Sequence, residues 1–205
     1  MGRSLAISGS ATLLASTWSI PLSVKLVIGR DSRASRLVLD LLNSLTSVPT
    51  VVIGLVMYLI LSRSGPLGFL SLLYTPAAIA LGQAILVTPL IISTAAAALS
   101  GVHEVVWEMA MALGATERQA AGAMLREALP SILTVVLLGF NRALGELGIA
   151  LMLGGNIRGF TRVMTTAIAL EVSRGEFELA LSLSGILLSL AIAVNVAIRR
   201  MGERR

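Results

Sequence analysis

The chain contains no cysteine, one histidine and one lysine. Without cysteine there is no disulfide framework and no thiolate metal site. A lone His103 builds neither an imidazole metal cluster nor a Ser-His-Asp set. The single lysine, Lys25, is flanked by Val24 and Leu26. A phosphate-cradling loop needs G-x-x-x-x-G-K-[ST], so the chain does not bind and hydrolyse ATP in that manner. Asp31 and Asp40 lie outside the middle of any long apolar run, which argues against an intramembrane aspartyl-type enzyme. The expectation is a chain that is not an enzyme and binds no cofactor of its own.

Charge is scarce as well. Charged residues make up 13% of the chain, against roughly 25% in soluble domains. Hydrophobic residues make up 56%, and the mean hydropathy is +0.89. A chain of 205 residues is long enough for one or two soluble domains, but this one has too little charge to cover its apolar surface in water.

What is present is long uncharged blocks: residues 4–24, 41–62, 64–102, 128–141 and 179–198 carry no charged side chain. A bilayer core about 30 Å thick takes roughly 20 apolar helical residues to cross, and backbone groups in lipid must be satisfied within the segment. The blocks therefore predict an all-α membrane protein with about five transmembrane helices, near 4–28, 39–61, 76–100, 131–153 and 179–198. Gly65, Pro66 and Gly68, then Thr75-Pro76, divide the longest block into a loop and a helix that starts near Pro76. Pro49 and Pro89 each remove a helix hydrogen bond near spans two and three and permit kinks, with polar Gln83 and Thr88 beside the second.

Basic residues orient the spans. With the first span running inward, Lys25, Arg30, Arg33, Arg36, Arg118, Arg126, Arg199, Arg200, Arg204 and Arg205 fall inside, and Arg3, Arg63, Arg158, Arg162 and Arg174 outside. That asymmetry follows the positive-inside rule and puts the 101–130 insert in the cytoplasm. The net charge of +5 thus reads as a topology signal. Nucleic acid is not an expected partner, because the basic residues lack interleaved aromatics. A cleaved signal peptide is disfavoured at the N-terminus, since the apolar stretch is long and its charge lies downstream.

The insert is polar, helix-favouring and compact. Trp107, Ala110, Met111 and Gly114 recur at i, i+3, i+4 and i+7. Gly114 suits a helix end, and Thr116 can cap a second helix running to Arg126. Small residues let a partner's groove approach closely, and Glu104 and Glu108 could pair with basic groups there. The competing reading is an amphipathic helix lying on the membrane surface. Further on, Arg142 and Glu146 are four residues apart in span four, spaced for one helix face. They read as an intramembrane ion pair that fixes packing, or as a guanidinium facing a wet pathway; Gly145 and Gly148 add a small-residue strip suited to close helix contact. In the outer 154–175 segment, Asn156, Arg158, Arg162, Thr165 and Thr166 are a candidate anion pathway, with residues 161–171 forming a short re-entrant helix. An ordinary solvated loop that meets an external protein fits equally.

Several of these motifs resemble a known family. Glu108, Ala110, Gly114 and Leu129-Pro130 are similar to the EAA loop of binding-protein-dependent ABC importer permeases, although Met109 stands where alanine is usual and Leu129-Pro130 falls three residues late. Asn43, Pro49 and Gly54, then Gly65 to Gly68, resemble the second-span region of tungstate-type permeases. Arg142, Gly145, Glu146 and Gly148, with Gly154, Gly155, Asn156 and Arg158, resemble a segment shared by tungstate and molybdate permeases, and Thr161, Thr165, Thr166 and Glu171 continue it.

The resemblance implies a type I ABC importer permease, with residues 1–205 as one transmembrane domain in a prokaryotic inner membrane. It implies a homodimer in contact with lipid, engaging a cytoplasmic ATPase dimer through Glu108, Ala110, Met111, Gly114 and Ala115. An external binding protein would deliver an oxyanion, tungstate first and molybdate, sulfate or another small anion as alternatives, with ATP used by the partner subunit. No fused C-terminal domain is expected after Arg205. Outside this class, an ATP-independent channel or carrier is the alternative, though five spans do not divide into inverted halves.

Overall fold

The structure is a computed structural model that describes residues 1–29 and 32–202. Arg30, Arg204 and Arg205, counted above among the inner basic residues, lie outside the described residues, as do Asp31 and the side chain of Arg199. The described residues form nine α-helices, one 3₁₀ turn and one π-helical turn, with no strand among them.

The centre is a three-helix core of α1 (Gly2–Ile28), α4 (Pro76–Val102) and α6 (Glu117–Leu144). α1 faces it with Ser4, Ser8, Thr12, Ser16, Ser19 and Ser23, all buried. These side chains are short, so the backbones approach closely. Their hydroxyls are largely satisfied at home: Thr12 donates to the Ser8 carbonyl, Ser16 to Thr12 and Ser23 to Ser19. Gln83 links the three helices, accepting from Ser8 Oγ at 3.1 Å and donating to the Ala143 carbonyl at 3.0 Å. Thr88, next to Pro89, accepts from Trp18 Nε1 at 2.9 Å. Ala11, Ala15, Val87, Ile91, Leu99, Met124 and Ala128 fill the apolar interior.

Four helical runs are long and apolar enough to cross a membrane: Gly2–Ile28, Pro76–Ala112, Glu117–Leu144 and Phe177–Val196. A fifth crossing exists if the bent pair α2 (Arg33–Leu45) and α3 (Thr50–Leu61) counts as one. Here the single helix expected over 39–61 is corrected. The pair turns by 99° at its break. Pro49 cannot donate a helix hydrogen bond and pushes Val48 out of the α region. At 12 residues, α3 is about 18 Å long, too short to span alone. No residue of α2 is buried within the chain.

Span four differs too. The expected helix over 131–153 is in fact α6, which starts in the insert at Glu117 and ends at Leu144, followed by a break and then α7 (Gly148–Gly154). The second insert helix therefore does not stop at Arg126 but continues through Pro130 into the membrane. Span three is longer than expected. α4 runs through the π-helical turn His103–Trp107 into α5 (Glu108–Ala112), 37 residues in all, about 55 Å at helical rise. α8 (Met164–Ser173), ten residues long, does not cross, and α9 (Phe177–Gly202) closes the described chain.

α7 wedges against α3 and α4, where Leu61, Ala78, Leu86, Ile149 and Leu153 form a second apolar cluster. Gly82 makes that approach feasible: a Cβ there would lie 2.6 Å from both Ile149 Cγ2 and Leu153 Cδ1. Gly82→Ala is therefore expected to destabilise the subunit by about 1–3 kcal/mol through overpacking, read as a lower unfolding temperature in detergent.

Candidate functional site

α5 and the first turns of α6 form a helical hairpin on the side assigned to the cytoplasm. Its turn is built by Gly114, whose φ of +81° favours glycine. The Ala115 amide donates to the Ala110 carbonyl at 3.0 Å and the Gly114 amide to Met111 at 3.0 Å, closing the end of α5. Thr116 then starts α6 with a capping box: its amide donates to Gln119 Oε1 at 2.9 Å, and its hydroxyl accepts from the Gln119 amide at 3.4 Å.

The surface this hairpin presents differs from the stripe drawn from helical spacing. Glu108, Met111 and Gly114 are exposed, whereas Trp107, Ala110 and Ala115 are half-buried. The π-helical turn is the cause. It inserts extra backbone between α4 and α5 and rotates the register, so that Trp107 turns back to stack on His103, ring centroids 5.5 Å apart. The most prominent apolar side chains are ones that spacing did not single out as contacts: Leu113 is 82% exposed, Val105 62% and Met109 59%. They recur every four residues. A cluster of exposed large apolar side chains marks a surface that a partner or lipid covers. Its signal in the sequence is the alternation of bulky and small residues from Met109 to Leu113.

The second constellation lies at the break between α6 and α7. Arg142 Nη1 stands 3.0 Å from Glu146 Oε2. The two do not share a helix face, because α6 ends at Leu144 and Glu146 follows the capping residue Gly145. Glu146 Oε1 instead accepts from the Ile149 amide at 3.2 Å, capping α7, and its backbone carbonyl accepts from Thr165 Oγ1 at 2.9 Å. One buried residue thus ties three helices together.

The outer segment uses most of its polar groups internally. Arg162 donates through Nε to Asn156 Oδ1 at 3.0 Å and through Nη2 to the Asn156 carbonyl at 3.4 Å, holding Asn156 at a φ of +53°. Thr166 Oγ1 accepts from the Val163 amide at 3.0 Å, and Ser4 Oγ from the Met164 amide at 2.9 Å, so protein groups occupy these positions at the N-terminus of α8. Arg158 is exposed, and Arg174 lies 3.5 Å from Glu171. Thr161, fully buried, is a hub that donates to the Gly154 carbonyl and accepts from the Ile157 amide at 2.9 Å. Thr161→Val strands both backbone groups and is expected to cost about 1–3 kcal/mol for each. Thermal unfolding of the purified subunit measures the loss. No group of three or more metal-ligating side chains occurs among the described residues.

A family model described as the binding-protein-dependent transport system inner membrane component matches residues 19–204. The chain is similar to a tungstate uptake system permease protein of Peptoclostridium acidaminophilum, 38% identical over 98% of this chain and 87% of that protein. It is equally similar, at 38% over 98% of this chain and 88% of the other, to a probable anion ABC transporter permease protein of Haloferax volcanii. A second tungstate uptake system permease protein, from Campylobacter jejuni, is 32% identical over 80% of this chain and 69% of its own length.

Proposed function

Because this chain belongs to the family of binding-protein-dependent transport system inner membrane components, we propose that its cargo is tungstate, carried inward as the oxyanion. The chain is a multi-pass membrane permease subunit of an ABC transporter. Permeases of this family work with an ATPase and an external binding protein. The observation that carries the cargo is the near-full-length identity to a tungstate permease; molybdate and sulfate are the runners-up.

In our reading the chain binds no cofactor and does not hydrolyse ATP. Two copies form the passage, and an ATPase dimer engages the hairpin through Glu108, Met111, Gly114 and the apolar side chains around them, with Ala110 and Ala115 giving close backbone approach. α4–α5 and α6 run from that surface into the core, so a push on the hairpin reaches the Gln83 junction and the break at Glu146 through packed helices rather than loops. Exposed Arg158 faces the delivery side and raises the local anion concentration, while Asn156, Arg162, Thr165 and Thr166, the other candidates for an anion pathway, are held by bonds within the chain and shape the segment that carries it.

Reconstitution in vesicles with the cognate ATPase and external binding protein tests the reading. ATP-dependent uptake of tungstate should exceed that of molybdate and sulfate at equal concentration. A clear preference for either competitor overturns the cargo, and uptake without ATP overturns the mechanism.

A further inference from the structure

We propose that Arg142 contacts the permeant oxyanion inside the membrane, and that Glu146 is the positioning residue that holds its guanidinium in place. The inference rests on the oxyanion-permease reading and adds a cargo contact to it.

The pair is lopsided. Glu146 is 3% exposed and the Arg142 side chain 41%. Both carboxylate oxygens are engaged, one by Arg142 Nη1 and the other by the Ile149 amide. A guanidinium has five N–H donors, and Arg142 directs only Nη1 to Glu146, with much of its remaining surface open. A cation left open in a membrane-spanning bundle is costly against acyl chains, so its open side is turned away from lipid.

An independent feature marks the same place. A Cβ on Gly148 would lie 3.3 Å from Glu146 Oε1 and 3.3 Å from Thr50 Oγ1. The break between α2 and α3 therefore adjoins the break between α6 and α7. Irregular backbone within a membrane is tolerated where it is packed in protein or lines a water-filled cavity, and interrupted helices commonly surround transported ions. Two interruptions meeting beside an open guanidinium point to the route of the cargo.

The chemistry suits a tetrahedral oxyanion. The planar guanidinium offers paired donors and keeps its charge at any working pH. Glu146 cancels most of the field while leaving the donors, which gives weak attraction and ready release. A passage needs both, because a site that binds too tightly does not let its ion leave.

The test uses the whole complex in vesicles, with the ATPase and binding protein. In Arg142→Gln/Glu146→Gln both charges are removed, and the amide replacing Glu146 still offers an oxygen to the Ile149 amide. A pure packing pair predicts recovery of uptake in this neutral double variant. A cargo contact predicts at least a tenfold loss of tungstate uptake with assembly of the complex retained. Recovery to wild-type uptake overturns the proposal. Should the double variant fail to assemble, Arg142→Lys decides: it keeps the charge and the pair but loses the planar donors, so the ratio of tungstate KM to sulfate KM is expected to shift at least threefold. An unchanged ratio overturns the proposal. Wild-type uptake is measured alongside. If the wild type prefers molybdate, the tungstate reading fails, and the same variants are scored with molybdate in its place.

Discussion

Leu113→Asp is expected to abolish co-purification of the permease with its ATPase while leaving the free subunit folded. Leu113 is the most exposed large apolar side chain of the described residues and sits at the turn of the hairpin, one residue before Gly114. Because it packs on little within the chain, its loss leaves the core intact, and the unfolding temperature should stay within about a degree of wild type. In a complex, an apolar anchor that fills a partner's pocket typically contributes about 2 kcal/mol or more, about a 30-fold change in affinity. An unpaired carboxylate in that pocket adds a desolvation cost, so the expected loss approaches two orders of magnitude. Met109→Asp, on the same stripe, should act in the same direction. Gly114→Trp is a steric companion: nothing lies within 4 Å of a Cβ at this position, so the bulk projects toward the partner, and the φ of +81° adds strain of about 1–2 kcal/mol. An undiminished complex in all three variants would show that the hairpin is not the docking surface, and an interfacial helix on the membrane would take its place.

A large loss of stability should come from Glu146→Ala. The substitution strands the Arg142 guanidinium and frees the Ile149 amide. The Arg142 side chain is 41% exposed and stays partly solvated, so losing the ion pair costs about 1 kcal/mol, and leaving the buried Ile149 amide without its acceptor adds about 1–3 kcal/mol. For a chain of this size the unfolding temperature should fall by something on the order of 10 °C. The cycle with Arg142→Ala separates the causes. If the stranded cation dominates, Arg142→Ala/Glu146→Ala is more stable than Glu146→Ala alone. If the double variant is no better, the cap on α7 and the polar contacts around it are the main loss. Glu146→Gln should be milder, since the amide oxygen still accepts from Ile149.

Some of this was legible because its signal is local and one-dimensional. α1, α4 and α9 follow from long runs without charge, where lipid requires each segment to satisfy its own backbone. Thr75-Pro76 marked the start of α4, Gly114 the turn and Thr116 the cap of α6, each through the backbone chemistry of a single residue. Other features were hidden by averaging. Residues 41–62 stay uncharged across the break at Thr46 to Pro49, so hydropathy runs straight through a 99° bend. At Gly145 to Leu147 the spacing of Arg142 and Glu146 read as one helix face and the glycines as a packing strip, while the chain changed helix. The exposed apolar stripe escaped for a different reason: the π-helical turn shifts the register by which spacing assigns a face.

Composition and residue order alone determined a helical membrane protein with a polar, helical insert between two of its apolar runs, because those properties depend on transfer to lipid and on local backbone preference. Only the tertiary structure decided which helices stop in mid-course, which side of the Arg142–Glu146 pair is open, and which side chains the hairpin presents. Those depend on contacts such as Gly82 against Ile149 and Thr165 against Glu146, between residues far apart in the chain. Close packing at such points fixes a geometry that no single stretch of sequence contains.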